Sequence, residues 1–279
     1  MQAEITLKRL FQTNFGRVIL KPQETTTPPN AGGREQEDTM AIITTFERTE
    51  KKYLLEPGQF DALSRMLSDR MTIDQYGRHT ICNIYYDTDD YRLIRASIEK
   101  PSYKEKLRLR GYGIPRNSDP VFVELKKKCG GVVYKRRERL TLDEARRFLG
   151  RSAEPVHQNQ ILREIDWFLN LYQPSPKVFL AYDRIALYGS EDPGLRITFD
   201  DSIRWRTTAL DLAMGDWGSP LLPGGCRLME IKLCGGMPLW LARALSECKA
   251  YPTSFSKYGE VYRVNLARTF LKKGDCPCA

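Results

Sequence analysis

Lys104-Glu105-Lys106-Leu107-Arg108-Leu109-Arg110 places a cation on every second residue, with Leu107 and Leu109 between them. Strand side chains point alternately to opposite faces, so this stretch offers one face to a core and presents Lys and Arg on the other. The same two-residue period recurs in Val121-Phe122-Val123-Glu124-Leu125-Lys126, in Leu195-Arg196-Ile197-Thr198-Phe199-Asp200 and in Leu228-Met229-Glu230-Ile231-Lys232-Leu233. One such segment is what any antiparallel strand with a solvated face carries. Four of them, with cations outnumbering carboxylates, predict an α+β fold whose sheet curls round a polyanion and keeps its apolar face for helices outside.

The 279-residue chain is 41% hydrophobic, which suits a globular protein of one large domain or two small ones. Its formal charge is +9 and its pI about 9.2, a balance that fits an anionic partner. Residues 1–39 hold five basic and five acidic residues, so all the excess charge lies from Met40 onward. Seven cysteines (Cys82, Cys129, Cys226, Cys234, Cys248, Cys276 and Cys278) form an odd set without framework spacing and point to a reduced, cytoplasmic setting. Cys276-Pro277-Cys278 reads as a frayed tail rather than a soft-metal site. His79 and His157 share no motif, which speaks against histidine-based metal or triad chemistry. No apolar run approaches the roughly 20 residues of a membrane helix, and the N-terminus lacks the apolar core of a secretion signal.

Residues 22–39, centred on Thr25-Thr26-Thr27-Pro28-Pro29-Asn30-Ala31-Gly32-Gly33, have the composition of a linker. Residues 1–39 therefore read as a disordered or spurious extension, with Met40 a candidate initiator, 40–272 as the folded domain and 273–279 as a flexible tail. Strands are expected at about 47–53, 79–86, 104–112, 120–128, 131–140, 177–188, 194–206 and 226–233. Helices are expected from Pro57-Gly58, with Phe60, Leu63 and Leu67 on one face, at Asp143 to Phe148, at Gln158 to Tyr172, and at about 238–249 and 257–271. The last carries Tyr258, Tyr262, Leu266 and Phe270 at every fourth position. Strand and helix do not alternate regularly, which disfavours a doubly wound parallel sheet.

Parity groups the charges by face: Arg48, Glu50 and Lys52; Lys104, Lys106, Arg108 and Arg110; Glu124, Lys126 and Lys128; Arg196, Thr198 and Asp200; Glu230 and Lys232. Lys135-Arg136-Arg137-Glu138-Arg139 is charged on both faces, and parity does not choose its inward member. Buried unpaired charge costs on the order of several kcal/mol, so a bore richer in cations than carboxylates is strained until an anion fills it. A chain of phosphates would do so, since the Arg fork binds two phosphate oxygens at once and Lys acts as a mobile point charge. Carboxylates suit a hard divalent ion that in turn binds phosphate, with Glu230 the first choice of ligand and Glu50 and Glu124 the second choices. Ser254 and Ser256 precede a predicted helix and serve equally as an anion site or as a plain N-cap.

Glu50-Lys51-Lys52-Tyr53, Ile84-Tyr85-Tyr86-Asp87, Leu107 to Gly113, Val123-Glu124-Leu125-Lys126, Val133-Tyr134-Lys135, Leu195-Arg196-Ile197, Met229-Glu230-Ile231-Lys232 and Ser254-Phe255-Ser256-Lys257-Tyr258 occur in one order over about residues 45–265. In that order they resemble the triphosphate tunnel metalloenzymes of the CYTH-like superfamily. Among these they resemble the VTC domain, the polyphosphate polymerase domain of the vacuolar transporter chaperone complex, in its bacterial type. The resemblance implies a closed antiparallel β-barrel with a tunnel through it and helices packed outside. It implies phosphate contacts from Lys52, Arg108, Arg110, Lys126, Lys135, Arg196 and Lys257, with Glu230 on Mn2+ or Mg2+. We place Arg108, Arg110, Arg196 and Lys126 at the transferring group and Lys52, Lys135, Lys232, Ser256 and Lys257 along the phosphate chain. Lys135 is chosen by the resemblance. One departure stands out: Ser254 occupies a position where the eukaryotic pattern carries a basic residue.

The expected partners are a nucleoside triphosphate and polyphosphate, and the expected activity is that of a polyphosphate polymerase-like phosphotransferase. A triphosphatase or polyphosphatase, and a non-catalytic module for polyphosphate or inositol phosphates, are the alternatives. A membrane-protein partner stays open. Nucleic acid is not expected, because base stacking needs aromatics interleaved with the cations, and Tyr103 and Tyr112 flank one basic strand alone.

Overall fold

The computed structural model describes residues 17–19, 47–130, 132–153 and 159–267. Among them, one antiparallel sheet takes β1 (Arg17–Ile19), β2 (Glu47–Leu55), β3 (Met71–Ile73), β4 (His79–Asp87), β5 (Tyr103–Tyr112), β6 (Pro120–Cys129), β7 (Val132–Thr141), β8 (Ser175–Gly189), β9 (Arg196–Arg206), β10 (Ser219–Pro220) and β11 (Arg227–Cys234). The helices are α1 (Pro57–Leu67), α2 (Arg92–Ile98), α3 (Leu142–Leu149), α4 (Gln160–Tyr172), α5 (Leu239–Glu247) and α6 (Lys257–Val261), the last running into a π-helical turn, Tyr262–Leu266. The expectations for Met40, His157, Phe270, the Cys276-Pro277-Cys278 tail and most of residues 1–39 lie outside the described residues. Arg17–Ile19, within that N-terminal stretch, pairs with β2.

The hydrogen-bonded order is β1-β2-β11-β9-β8-β4-β5-β6-β7, with β10 on β9 and β3 on β8. This corrects the expected closed barrel: the path has two ends, and no ladder joins them among the described residues. The sheet still curls far enough to bring β7 alongside β1. Charge explains why β7 closes nothing. Lys135, Arg136, Arg137, Glu138 and Arg139 load both of its faces, a pattern that keeps an edge strand from pairing further.

The two-residue period sorts side chains between the faces. Leu107 and Leu109 of β5 and Val121, Val123 and Leu125 of β6 are buried under α3 and α4, against Leu142, Phe148, Leu162, Ile165 and Phe168. On the other flank Ile197 and Phe199 of β9 and Met229, Ile231 and Leu233 of β11 bury against Leu63, Leu67, Leu241 and Leu245 of α1 and α5. Each such side chain contributes about 1.5–3 kcal/mol by leaving water. The helices therefore hold the outer face, and the charged face is left inside the curl.

Sequence reasoning misses β1, β3, β10 and α2. The three strands have too few residues to show a period. α2 is missed because its cap is remote: Tyr91 at its N-terminus has a φ of 57° and offers no capping side chain. The acceptor is Asp87, fully buried at the end of β4, whose carboxylate accepts from Leu93 N at 2.9 Å and Ile94 N at 3.0 Å. It also accepts from Thr88 N and from Tyr258 OH of α6, both at 2.9 Å. No helix among the described residues is long and apolar enough to cross a membrane, and the five described cysteines are free thiols.

Asp87→Ala leaves buried helical N–H groups without an acceptor and cuts the tie to α6. It is expected to destabilise the protein by about 3 kcal/mol, against about 1 kcal/mol for Tyr258→Phe, which removes a single bond. Urea unfolding compares the two, and equal losses would show that Asp87 does no more than receive Tyr258.

Candidate functional site

Register arranges the charged faces into rows. Lys106 of β5 stands opposite Lys126 of β6, and Lys126 opposite Lys135 of β7, so three lysines lie side by side on adjacent strands. Lys104 and Lys128 repeat the pattern one step along. In the other direction Arg108 faces Glu124, and Glu124 faces Arg137. On the far wall Lys52, Glu230 and Thr198 form a row across β2, β11 and β9, with Glu50, Lys232 and Arg196 beside it. Like charges directly opposite one another destabilise a sheet, so the lysine rows are held at a cost that an anion between them would relieve.

A cavity of about 270 Å³ opens between the walls. Glu50, Lys52, Lys104, Lys106, Lys126 and Lys128 line it together with Ser254 and Ser256 from the segment before α6. Burial, and then Lys126, Lys104, Lys52 and Arg108, pull the Lys106 amine down to about 7. Burial also lowers Lys126, which is ringed by protein yet wetted by the cavity. It takes Lys135 to about 8 in spite of Glu124. Lys106 Nζ donates to Ser256 Oγ at 3.2 Å, and the same oxygen accepts from Gly259 N at 3.3 Å, so Ser256 is an N-cap that also receives a bore lysine.

Glu124, 1% exposed, is the hub of the next row. Its carboxylate accepts from Arg108 Nε at 2.7 Å and Arg137 Nε at 2.8 Å, and lies 2.9 Å from Lys135 Nζ. Burial opposes its charge, but Arg108, Arg110 and Lys135 hold it well below the usual carboxylate range. Glu124 and Glu50, the second choices of metal ligand, are thus both held by cations. Arg110 is buried and donates to Asn83 Oδ1 at 2.9 Å and Tyr182 OH at 3.1 Å.

A third cluster centres on Asp200, buried on β9. Arg184 of β8 binds it through two nitrogens at 2.6 and 2.8 Å, and Lys257 Nζ donates to it at 2.5 Å. Lys257 Nζ is also 3.8 Å from Glu230 Oε1. Lys52 Nζ bridges two carboxylates, Glu230 at 3.3 Å and Glu50 at 3.4 Å. Burial works against ionisation of Glu230, yet Lys52, Lys257, Lys232 and Arg184 hold it well below its usual value. Glu50 is lowered as well, against burial and against Glu230, by Lys52, Lys126 and Lys232.

No group of three or more Asp, Glu, His or Cys side chains gathers among the described residues. Glu230 and Glu50 share Lys52, and Thr198 stands opposite Glu230 with a buried Oγ1 that has no hydrogen-bond partner among the described residues. Two ionised carboxylates and an orphaned hydroxyl fit a hard divalent ion that takes its remaining ligands from water and phosphate.

Of the expected site residues, Glu50, Lys52, Lys126 and Ser256 line one cavity, Arg108 and Lys135 are held on Glu124, and Lys257 and Glu230 lie 3.8 Å apart, with Glu230 also on Lys52 and Lys232 4.0 Å from it. Arg196 does not join them: it is the first residue of β9 and stands exposed at the rim. Sequence reasoning misses Lys106 and Arg184 as site residues, and the hydroxyls of Tyr85 and Tyr182 that receive Arg108 and Arg110. Lys106 sits in the stretch that decides the fold and was legible there. Arg184 is a single cation in the run Val178 to Ala186, whose other positions of the same parity, Val178, Leu180, Tyr182 and Ala186, show no charge period.

A family model described as the VTC domain matches residues 47–265. Among solved structures, the chain is similar to a candidate adenylate cyclase from Bacillus halodurans, at 16% identity over 77% of this chain and 96% of that one, with a TM-score of 0.48. It is similar to a candidate adenylyl cyclase from Hippeastrum in which a triphosphatase activity dominates, at 17% identity over 77% of this chain and 94% of that one, with a TM-score of 0.44. A candidate adenylate cyclase from Vibrio parahaemolyticus is matched at 13% identity over 77% and 97%, with a TM-score of 0.42. No curated protein matches the chain.

Lys106 holds its proton less firmly in the folded protein than in the unfolded chain. From about 7 up to the ordinary 10.5 the unfolded chain binds the extra proton, so stability rises with pH across that window. The cost of the charged amine is fully present below the window and absent above it. Lys106→Met is therefore expected to raise the Tm most near pH 6 and to lose that advantage as pH climbs through the window. A gain that ignores pH would show that this lysine does not titrate there.

Proposed function

The chain belongs to the VTC domain family, and from the lining of its bore we propose that it is a metal-dependent phosphotransferase of the polyphosphate-polymerase kind. It would move the terminal phosphoryl group of a nucleoside triphosphate onto the end of a polyphosphate chain, releasing the nucleoside diphosphate. The observation that carries this reading is the lysine row Lys106-Lys126-Lys135, set beside the Arg108–Glu124 pair and across from Glu50 and Glu230. Lys104 and Lys128 form a second row one step along the strands, and a linear polyanion running past both rows would relieve the like charges of each.

Phosphoryl transfer rests on alignment and charge neutralisation and asks for no protein nucleophile. Arg108, held in place by Glu124 and Tyr85, presents its fork to the transferring group, and Lys126 and Arg184 add charge beside it. Arg110, buried against Asn83 and Tyr182, is a positioning residue behind them. Lys52, Lys135, Lys232, Ser256 and Lys257 hold neighbouring phosphates, and Arg196 meets the anion at the rim. Mn2+ or Mg2+ held by Glu230 and Glu50 would neutralise charge on the phosphate oxygens. Hydrolysis calls for a carboxylate free to orient water, and Glu124 is engaged by Arg108, Arg137 and Lys135, which favours a phosphate acceptor over water.

With ATP and Mn2+ the protein is expected to make polyphosphate that resolves as a ladder on a gel. Orthophosphate as the sole product would make it a triphosphatase, and binding without turnover a polyphosphate-binding module. Arg108→Ala is expected to lower kcat by about 10²–10³-fold. Glu230→Gln is expected to raise the Mn2+ concentration needed for half-maximal rate, and turnover indifferent to both that change and a chelator would take the metal out of the proposal.

A further inference from the structure

The inner face of the sheet ends differently at the two ends of its strands. Inward residues of β5 run Lys104, Lys106, Arg108, Arg110, Tyr112, one step of about 6.8 Å for every two residues. At the first mouth Lys100, Lys104, Lys128 and Arg263 surround the opening, a lining for a bare polyanion. At the other the inward side chains turn aromatic. Tyr112, 48% exposed, has Phe122 of β6 at 5.8 Å between ring centroids and His79 of β4 at 6.0 Å. Tyr76, 68% exposed, lies 6.3 Å from His79.

One guanidinium joins these rings to the phosphate-binding row. Arg137 donates through Nε to Glu124 at 2.8 Å and through Nη2 to Tyr112 OH at 2.9 Å, with Phe122 beneath it at 4.0 Å. Glu124 in turn holds Arg108. Rings that stay half in water contribute little to a core, so their burial does not explain why they stand at this opening. A flat apolar ligand emerging from the bore would cover them.

We infer that the Tyr112 mouth is the platform for the nucleobase: with the triphosphate on Arg108 and the lysine row, the nucleoside leaves the bore on this side and its base lies against Tyr112 and Tyr76. This rests on the triphosphate reading given above and adds to it an orientation and a second set of contacts. Every base has a π-face, so stacking here tolerates any of them, and the contrast falls between a nucleotide and a bare anion.

Calorimetric titration in EDTA, where turnover is stopped, compares ATP with inorganic tripolyphosphate. The inorganic anion carries the greater charge, so a basic bore alone would favour it. ATP is expected to bind about tenfold tighter, the effect of one stacked base. Tyr112→Ala is expected to abolish that ratio, and Tyr112→Phe, which loses the bond to Arg137 but keeps the ring, to preserve it. Tripolyphosphate binding at least as tightly as ATP in the unaltered protein, or a ratio unmoved by Tyr112→Ala, overturns the platform and leaves the phosphate site standing. Failure of both ligands to bind overturns the phosphate site and the platform with it.

Discussion

Three lysines in register across β5, β6 and β7 are the constraint that the rest of the bore answers to. The arginines Arg108, Arg137 and Arg184 carry a charge they cannot shed and are paired with Glu124 and Asp200. The lysines differ among themselves: Lys52, Lys135 and Lys257 reach carboxylates, whereas Lys104 and Lys106 donate to neutral oxygens, Ser97 O at 3.1 Å and Ser256 Oγ. Burial lowers the amines of Lys106, Lys126 and Lys135. At Lys106 the neighbouring cations lower it further, so an anion beside it would favour the charged form.

The same logic ties the mouth helices to the sheet. Tyr258 of α6 donates to Asp87 and stacks on Tyr85 at 4.7 Å between centroids, and Tyr85 OH accepts from Arg108. Asp87 meanwhile receives the first N–H groups of α2. One buried carboxylate at the end of β4 therefore places two helices. Through α6 it sets where Ser256 and Lys257 stand relative to Lys106, Asp200 and Glu230, because Lys257 follows Ser256 directly at the start of that helix.

Side-chain parity made the strands and their charged faces legible, because a two-residue period survives any ignorance of the fold. It could not supply register, and register is what turns Lys106, Lys126 and Lys135 into one row and encloses Glu124 among cations. It also treated Arg196 and Arg184 unequally. Arg196 keeps the period yet falls at the exposed start of β9, whereas Arg184 breaks no pattern and reaches Asp200 from β8. The cap of α2 stayed hidden for a related reason: Asp87 lies in the preceding strand, where local capping rules do not look. Strand order likewise could not be read from the charge on β7, whose outer edge joins no ladder among the described residues.

An unclosed sheet can still enclose a bore if something other than a ladder spans the wall. Residues 252–256 do so next to β2. Thr253 N donates to Lys52 O at 2.7 Å, Pro252 bridges to Tyr53, and Lys52 Nζ donates to Phe255 O at 3.2 Å. From the opposite side Lys106 reaches Ser256. The short segment before α6 thus acts as a stave held by side chains from both walls, and both of those side chains are bore lysines. Ser254 lies within this stave and lines the cavity as a neutral residue, so the positive potential along it comes from Lys52 and Lys106 rather than from the stave itself. Lys52 and Lys106, two of the amines that line the cavity, are thus also the donors that hold the stave in place.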